Sequence, residues 1–221
     1  MNIRNNIAFF QKKLADTTCK LIAVSKTQPV EKIQEAFEAG QRIFGENKVQ
    51  ELTAKQPVLP PDIEWHMIGH LQTNKVKQIA AFVSLIHSVD SFKLLEEINR
   101  QGKKNNRSIN CLLQVHIAEE ETKFGFGEQE ATELILSKEI ALLEFVKVTG
   151  LMGMATFTTN TDQVRKEFKG LKELFNKISQ LSLPVNVEMK ELSMGMSQDY
   201  EIAVAEGSTL IRIGTAIFGG R

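Results

Sequence analysis

The feature that most constrains the fold is a regular alternation of short apolar runs with longer amphipathic stretches. Eight runs of four to eight residues are rich in Val, Ile, Leu, Phe and Met, which is typical of strands buried on both faces. The stretches between them place apolar residues three or four positions apart, which indicates helices. The apolar runs cover residues 21–26, 42–46, 64–68, 85–89, 110–117, 144–150, 186–192 and 209–213.

Alternating strands and helices predict a parallel sheet with helices outside it. Eight such units fit an α/β fold of the (β/α)8 TIM-barrel type, with an extra N-terminal helix over about residues 5–14. An open doubly wound sheet is the competing architecture, but no G-x-G-x-x-G motif follows the first run. The sequence shows no linker or low-complexity segment, so we expect one domain over residues 1–221.

Composition argues against several classes of partner. The chain has 27 basic and 27 acidic residues, so its charge favours neither nucleic acid nor membrane. It has no apolar run of about 18 residues and no secretory signal at its start. Two isolated cysteines, Cys19 and Cys111, do not make a disulfide framework. We therefore expect a cytoplasmic protein.

In a barrel, functional groups gather at the carboxyl ends of the strands. Lys26 closes the first run, where a low dielectric would favour a neutral amine that can attack an aldehyde or ketone. The alternative is a lysine that simply extends to solvent. The last two strands favour the first interpretation, because Ser193, Gly195, Gly214 and Thr215 supply small residues and hydroxyls suited to a phosphate. Ordinary turns after strands are the other explanation for these residues.

A reactive lysine and a phosphate site in one barrel mouth suggest a phosphorylated aldehyde as ligand. Pyridoxal 5′-phosphate is the commonest such cofactor, and a phosphosugar aldolase is the alternative. Arg212 is expected to project from the eighth strand toward the mouth. Beside a pyridine nitrogen, its charge would keep that nitrogen unprotonated and weaken the cofactor as an electron sink. A buried ion pair with a carboxylate is the other interpretation of Arg212.

Metal binding and amino-acid racemisation are two alternative functions. His66 and His70 are four residues apart, as metal ligands on a helix would be, but the intervening residues indicate a strand that runs into a turn. We therefore expect no metal site. An amino-acid racemase needs a base on each face of the substrate carbanion. Lys26 could serve as one base. The chain has a single tyrosine, Tyr200, that is of a suitable type for the second base, and we expect it near the phosphate end of the site.

Seven segments, in order and over nearly the whole chain, resemble those of the pyridoxal phosphate homeostasis proteins. Each segment alone is a modest signal, and together they are highly specific. They are AVSK at 23–26, FGENKVQE at 44–51, WHMIGHLQTNK at 65–75, HSVD at 87–90, GLM at 150–152, ELSMGMS at 191–197 and RIGTAIFG at 212–219.

The resemblance implies a barrel similar to the N-terminal domain of alanine racemase. It also implies pyridoxal 5′-phosphate held as a Schiff base on Lys26, in a protein that carries or buffers this cofactor without an established catalytic activity. Apo-enzymes that depend on pyridoxal phosphate are the implied protein partners, and we expect a monomer. The cofactor contacts that the resemblance implies are phosphate contacts from Ser193, Gly214 and Thr215, a lining by Asn47 and Met194, and Arg212 facing the pyridine nitrogen.

Overall fold

Eight parallel strands close into a barrel in chain order, and the last strand pairs with the first. The computed structural model describes residues 2–119 and 124–220. The predicted (β/α)8 barrel is confirmed, and the open sheet is excluded because Leu21 of the first strand is in register with Ile211 of the last. The strands are β1 (Lys20–Val24), β2 (Ile43–Glu46), β3 (Glu64–Met67), β4 (Leu85–Val89), β5 (Ile109–Gln114), β6 (Val146–Met152), β7 (Val187–Met196) and β8 (Leu210–Ile213).

Helices surround the barrel, and the extra N-terminal helix is present. It begins at Ile3 because the side chain of Asn2 accepts a hydrogen bond from the backbone N–H of Asn5, which caps the helix. Two short 3₁₀ segments, Gln56–Val58 and Thr73–Lys75, lie between helices and strands. The α-helices are α1 (Ile3–Leu14), α2 (Val30–Glu38), α3 (Val49–Lys55), α4 (Val76–Ile79), α5 (Phe92–Lys104), α6 (Glu128–Leu136), α7 (Lys138–Ala141), α8 (Thr161–Ser179), α9 (Tyr200–Ala205) and α10 (Thr215–Phe218).

The apolar core has two parts, as the alternation of side chains along barrel strands requires. A large cluster fills the layer between the strands and the helices. A small separate cluster contains residues of β1, β4, β5, β6 and β8. The members of this small cluster are Ile22, Leu85, Leu112, Met152 and Leu210.

Two strand ends differ from the prediction, and both differences affect the site. β1 ends at Val24, so Lys26 lies in a turn beyond the strand. β7 continues to Met196, four residues beyond the predicted end at Leu192. Gly195 makes this continuation possible, because its φ of 94° belongs to the left-handed region and accompanies a shift in the pairing with β8.

The irregularity in β7 changes which side chains face inward. Ser193 pairs with Leu210, and Met196 pairs with Arg212. Between these two pairs β7 advances by three residues and β8 by two, so β7 contains one extra residue. In a regular strand, residues three apart face opposite sides of the sheet. Here the hydroxyl of Ser193 contacts Arg212 inside the barrel, and Met196 lines the cavity at its mouth. Met194 lies between them and packs in the large outer cluster.

Candidate functional site

A cavity of about 630 Å³ opens at the carboxyl ends of the strands. It brings together five of the residues that the sequence predicted for the site, from four separate loops and strands. These residues are Lys26, Asn47, Arg212, Gly214 and Thr215. Ser193 and Met194 are not part of the lining, and both are fully buried.

Lys26 offers an accessible primary amine at this cavity. The residue is exposed, so the predicted low-dielectric position at the end of a buried strand is wrong. No hydrogen bond or ion pair joins its side chain to another residue in the part of the chain that the structure describes. An amine that is exposed and unpaired is available to react with a ligand in the cavity.

Asn47 reaches the cavity because Gly69 lies directly against its backbone. A Cβ atom added to Gly69 would come within 2.4 Å of the carbonyl oxygen of Asn47. Real side chains do not approach this closely, so any other residue at position 69 would push the end of β2 away. The segment from Trp65 to Lys75, which carried part of the sequence resemblance, thus helps to shape the site.

Arg212 is a buried cation on the wall of the cavity. The residue is 5% exposed, and its guanidinium donates hydrogen bonds to the hydroxyl of Ser193 at 2.5 Å and to the carbonyl of Gly153 at 3.1 Å. Burial lowers the pKa of Arg212 to about 10, against the attraction of Asp199. The side chain therefore stays charged near neutral pH. No ion pair joins it to a carboxylate among the described residues, so the ion-pair interpretation of Arg212 finds no support.

A chain of buried polar groups extends from Arg212 across the barrel interior. The hydroxyl of Ser193 contacts Nδ1 of His87 at 2.9 Å, and Nε2 of His87 contacts Nδ1 of His66 at 3.0 Å. Burial lowers the pKa of His66 to about 3. Burial, with the nearby His66 and Arg212, also holds the pKa of His87 well below its ordinary value. Both imidazoles are therefore neutral near pH 7, so neither adds a positive charge to that of Arg212.

The two histidines considered for metal binding have different partners. His66 belongs to the interior chain, and His70 is exposed with its Nδ1 3.0 Å from a carboxylate oxygen of Asp90. Within residues 2–119 and 124–220, no three His, Cys, Asp or Glu side chains come together as a metal site would require. Within the same residues, no helix has the length and apolar character needed to cross a membrane.

Ser197 is a site residue that sequence reasoning missed. It lines the cavity, and its hydroxyl lies 3.5 Å from that of Thr215, at the ends of β7 and β8. Asp199 fixes the turn around it, because its carboxylate accepts the N–H of Met196 at 2.5 Å and its own N–H donates to the carbonyl of Met196. The sequence did contain a signal, since Ser197 is the second serine of the same motif as Ser193.

The backbone on the other side of this hydroxyl pair is also suited to an anion. Among the described residues, no protein acceptor receives the backbone N–H of Thr215 or Ala216, which stand at the start of α10. Backbone N–H groups without a protein acceptor, beside two hydroxyls, are a common setting for phosphate oxygens.

Comparison with known proteins agrees with this architecture. The fold and the cavity define a barrel of the kind found as the N-terminal domain of alanine racemase, and the sequence model of that domain matches residues 1–221. The alanine racemase of Bartonella henselae shares this fold, with a TM-score of 0.75 at 17% identity over 99% of this chain and 61% of its own.

Proteins with higher sequence identity to this chain identify its family more closely. A pyridoxal phosphate homeostasis protein of Aquifex aeolicus is 43% identical over 93% of this chain and 89% of its own length. That of Haemophilus influenzae is 38% identical over 100% and 97%. The chain belongs to the family of pyridoxal phosphate homeostasis proteins. A solved structure of PipY from Synechococcus elongatus, with pyridoxal phosphate bound to that protein, has a TM-score of 0.87 at 36% identity over 98% of this chain and 100% of its own.

Proposed function

We propose that this protein binds pyridoxal 5′-phosphate covalently through Lys26 and buffers or delivers it as part of the intracellular homeostasis of the cofactor. One observation carries the proposal. The exposed amine of Lys26, the buried cation of Arg212 and the hydroxyl pair of Ser197 and Thr215 line one cavity. These three kinds of group can meet the aldehyde, the ring nitrogen and the phosphate of a phosphorylated pyridine aldehyde.

The residues present fit this cofactor group by group. Pyridoxal 5′-phosphate supplies an aldehyde, which condenses with a primary amine and releases one water molecule. Lys26 provides an amine without a protein partner among the described residues. Ser197, Thr215 and the N–H groups at the start of α10 provide donors for the phosphate. Arg212 provides a donor that would face the ring nitrogen.

Ser193 and Met194 take other roles in this proposal. The hydroxyl of Ser193 is occupied by Arg212 and His87, so we assign the predicted phosphate contact to Ser197 and give Ser193 the role of holding Arg212. Met194 lies in the outer core, where it packs β7 against the surrounding helices. For Gly214 and Thr215, which line the cavity, we keep the proposed role at the phosphate end.

The arrangement favours a carrier over an enzyme. A charged Arg212 beside the ring nitrogen would leave that nitrogen unprotonated, which disfavours carbanion formation. Tyr200 does not line the cavity, because its hydroxyl bonds Glu201 and its ring packs edge-on against Phe10 of α1. A racemase would need a second base at such a place. We propose a non-catalytic, monomeric, cytoplasmic protein whose partners are pyridoxal-phosphate-dependent apo-enzymes, with no nucleic-acid or membrane partner.

Borohydride reduction tests the covalent site. We expect the purified protein, incubated with pyridoxal 5′-phosphate, to absorb in the visible range and to carry the reduced cofactor on the peptide that contains Lys26. Peptide mass spectrometry reads the position directly. An adduct confined to another lysine, or the absence of any adduct, would overturn the proposal.

A second experiment separates the carrier from a racemase. The loaded protein is incubated with L-alanine and other L-amino acids in heavy water, and NMR follows exchange at Cα. We expect no exchange above that of free cofactor. Rapid exchange with matching racemisation, lost in Tyr200→Phe, would restore the enzyme hypothesis.

A further inference from the structure

A buried cluster of charged side chains lies directly behind the turn that carries Lys26. It is centred on Lys55 of α3, whose Nζ is 2.8 Å from Oε1 of Glu46 and 3.0 Å from Oε2 of Glu51. Lys55 is 7% exposed, and Glu46 is fully buried. The hydroxyl of Ser25 donates to the same oxygen of Glu46 at 2.7 Å. None of these side chains lines the cavity, so the cofactor contacts described above leave the cluster unexplained.

The cluster holds the backbone on both sides of Lys26. Nζ of Lys55 donates to the carbonyl of Ser25 at 2.9 Å, and that carbonyl belongs to the peptide bond that precedes Lys26. Oε2 of Glu51 accepts the N–H of Thr27 at 2.6 Å, and that N–H belongs to the peptide bond that follows Lys26. Lys55 and Glu51 are themselves paired, so one linked unit fixes both peptide groups.

The turn that is held in this way is intrinsically unfavourable. The N–H of Gln28 donates to the carbonyl of Ser25 at 3.0 Å, which makes Lys26 the second residue of a tight turn and Thr27 the third. Thr27 has a φ of 62°, as the third residue of a type II turn does. Glycine or asparagine normally occupies that position, and a β-branched residue is disfavoured there. The bond from Thr27 to Glu51 opposes this preference.

The two carboxyl groups of the cluster respond differently to burial. Burial alone would raise the pKa of Glu51, but the N–H of Thr27 and Lys55 outweigh it and lower the pKa. Glu46 is different, because burial raises its pKa despite Lys55 and Ser25. Its second oxygen, Oε2, has no hydrogen-bond partner within the described residues. Lys55 is therefore the group that links the two carboxylates to the turn.

We infer that Lys55, together with Glu51, is a positioning residue for covalent capture, because it holds the turn in the conformation that presents the amine of Lys26 to the cavity. This inference rests on the proposed function. Lys55 does not touch the cavity itself, so its effect on the ligand passes through the backbone of Lys26. It should therefore affect the covalent bond and leave the noncovalent contacts of the ligand unchanged.

Two ligands separate these contributions in the variant Lys55→Met. Pyridoxal 5′-phosphate has the aldehyde, and pyridoxine 5′-phosphate has the same phosphate and ring but cannot condense with an amine. We expect the affinity for pyridoxal 5′-phosphate and the yield of borohydride adduct on Lys26 to fall about tenfold or more, as for a lost hydrogen bond to a charged group. The affinity for pyridoxine 5′-phosphate should stay within about twofold of the original value. Lys147→Met is the matched control, because Lys147 forms a 2.8 Å ion pair with Glu188 on the surface and should change neither affinity.

Removing Lys55 leaves Glu46 buried without its ion-pair partner, which can prevent folding. Glu51→Met and the double variant Lys55→Met with Glu46→Gln avoid that difficulty, and both should lower capture of pyridoxal 5′-phosphate selectively. An equal loss for both ligands would show a merely structural role and overturn the inference, as would unchanged capture in the folded variants. If the original protein forms no adduct on Lys26, the proposed function itself fails, which is a separate outcome.

Discussion

Lys26 and Arg212, two basic residues that line the cavity, are held in opposite ways. On the lysine side, formed by the ends of β1 and β2, Lys26 is exposed, and the charged groups that fix its turn lie behind the barrel wall. On the arginine side, formed by β7 and β8, Arg212 is buried, and its hydrogen-bond partners are the neutral Ser193 and the carbonyl of Gly153. The amine of Lys26 thus has no hydrogen-bond or ion-pair partner among the described residues, whereas the guanidinium of Arg212 is fixed.

The difference follows from where each region lies in the barrel. The interior already holds the charge of Arg212, and a second positive charge beside it would be costly in a low dielectric. His87 and His66 are accordingly neutral, and they continue the chain of hydrogen bonds without adding charge. Between the strands and α3, in contrast, Lys55 lies among carboxylates that compensate it. Acid should therefore affect the two sides differently.

The largest expected effect is a loss of stability in acid that originates in His66 and His87, which are linked to Arg212 through Ser193. The folded-state pKa of each buried histidine lies below the ordinary value of 6.5, and that of His66 is about 3. The stability that these groups contribute is thus complete above pH 6.5 and is lost as the pH falls below it. Each histidine should lower the free energy of unfolding by about 1.4 kcal/mol for every pH unit below about pH 6. The two together should lower it by about 3 kcal/mol per pH unit. Urea unfolding at several pH values measures this slope, and His66→Gln should halve it.

On the lysine side, one contribution to stability should increase as the pH falls, which is opposite to the effect of the histidines. Burial raises the pKa of Glu46, so the stability linked to this carboxyl is complete below its ordinary value of 4.5 and is lost as the pH rises through the higher folded-state value. Glu46→Gln removes this contribution, and the acid loss should then become steeper. A slope that does not change in either variant would contradict the assignment of charges to the two sides.

The next largest effect is expected from Ser193→Ala. This change removes the acceptor of Arg212 and the partner of His87, and it leaves buried donors without partners. The free energy of unfolding should fall by about 2 kcal/mol. Ser179→Ala is the matched control, because the hydroxyl of Ser179 is exposed and bonds only a helix carbonyl. If both variants unfold at the original urea concentration, Ser193 does not support Arg212.

A smaller effect, on affinity alone, is expected from Ser197→Ala and Thr215→Val. Each variant should weaken the binding of pyridoxal 5′-phosphate about tenfold, since each removes one hydroxyl from the proposed phosphate site. Pyridoxal, which has no phosphate, should bind these variants as it binds the original protein. Titration with both ligands measures the difference. An equal loss of affinity for pyridoxal would mean that these hydroxyls do not bind the phosphate.

The contrast between Ser193 and Ser197 shows what the sequence could predict. Eight apolar runs were enough to predict the barrel, and the bounds of β4 were predicted correctly as Leu85–Val89. The end of β7 was not predicted correctly, because the irregularity at Gly195 depends on the pairing of β7 with β8. That single shift decides which serine bonds Arg212 and which lines the cavity.

Other missed features share a cause. His66 and His87 lie on β3 and β4, and they meet Ser193 of β7 only because the barrel closes. Alternation along one strand predicts which side chains face inward, but it does not predict which of them meet across the interior. Lys55 was missed for the same reason, since its contact with the carbonyl of Ser25 joins α3 to the turn after β1.

The smallest effect on stability is expected from Lys26→Met, although this change should remove the proposed covalent site. Lys26 is exposed and has no hydrogen bond or ion pair to another described residue, so the free energy of unfolding should change by less than about 0.5 kcal/mol. Lys166→Met, at an exposed position of α8, is the matched control. Urea unfolding of the cofactor-free protein measures both variants. A loss of more than about 1 kcal/mol for Lys26→Met alone would mean that the amine has a structural partner. In that case Lys26 would be fixed as firmly as Arg212, and the contrast between a free amine and a fixed guanidinium would fail.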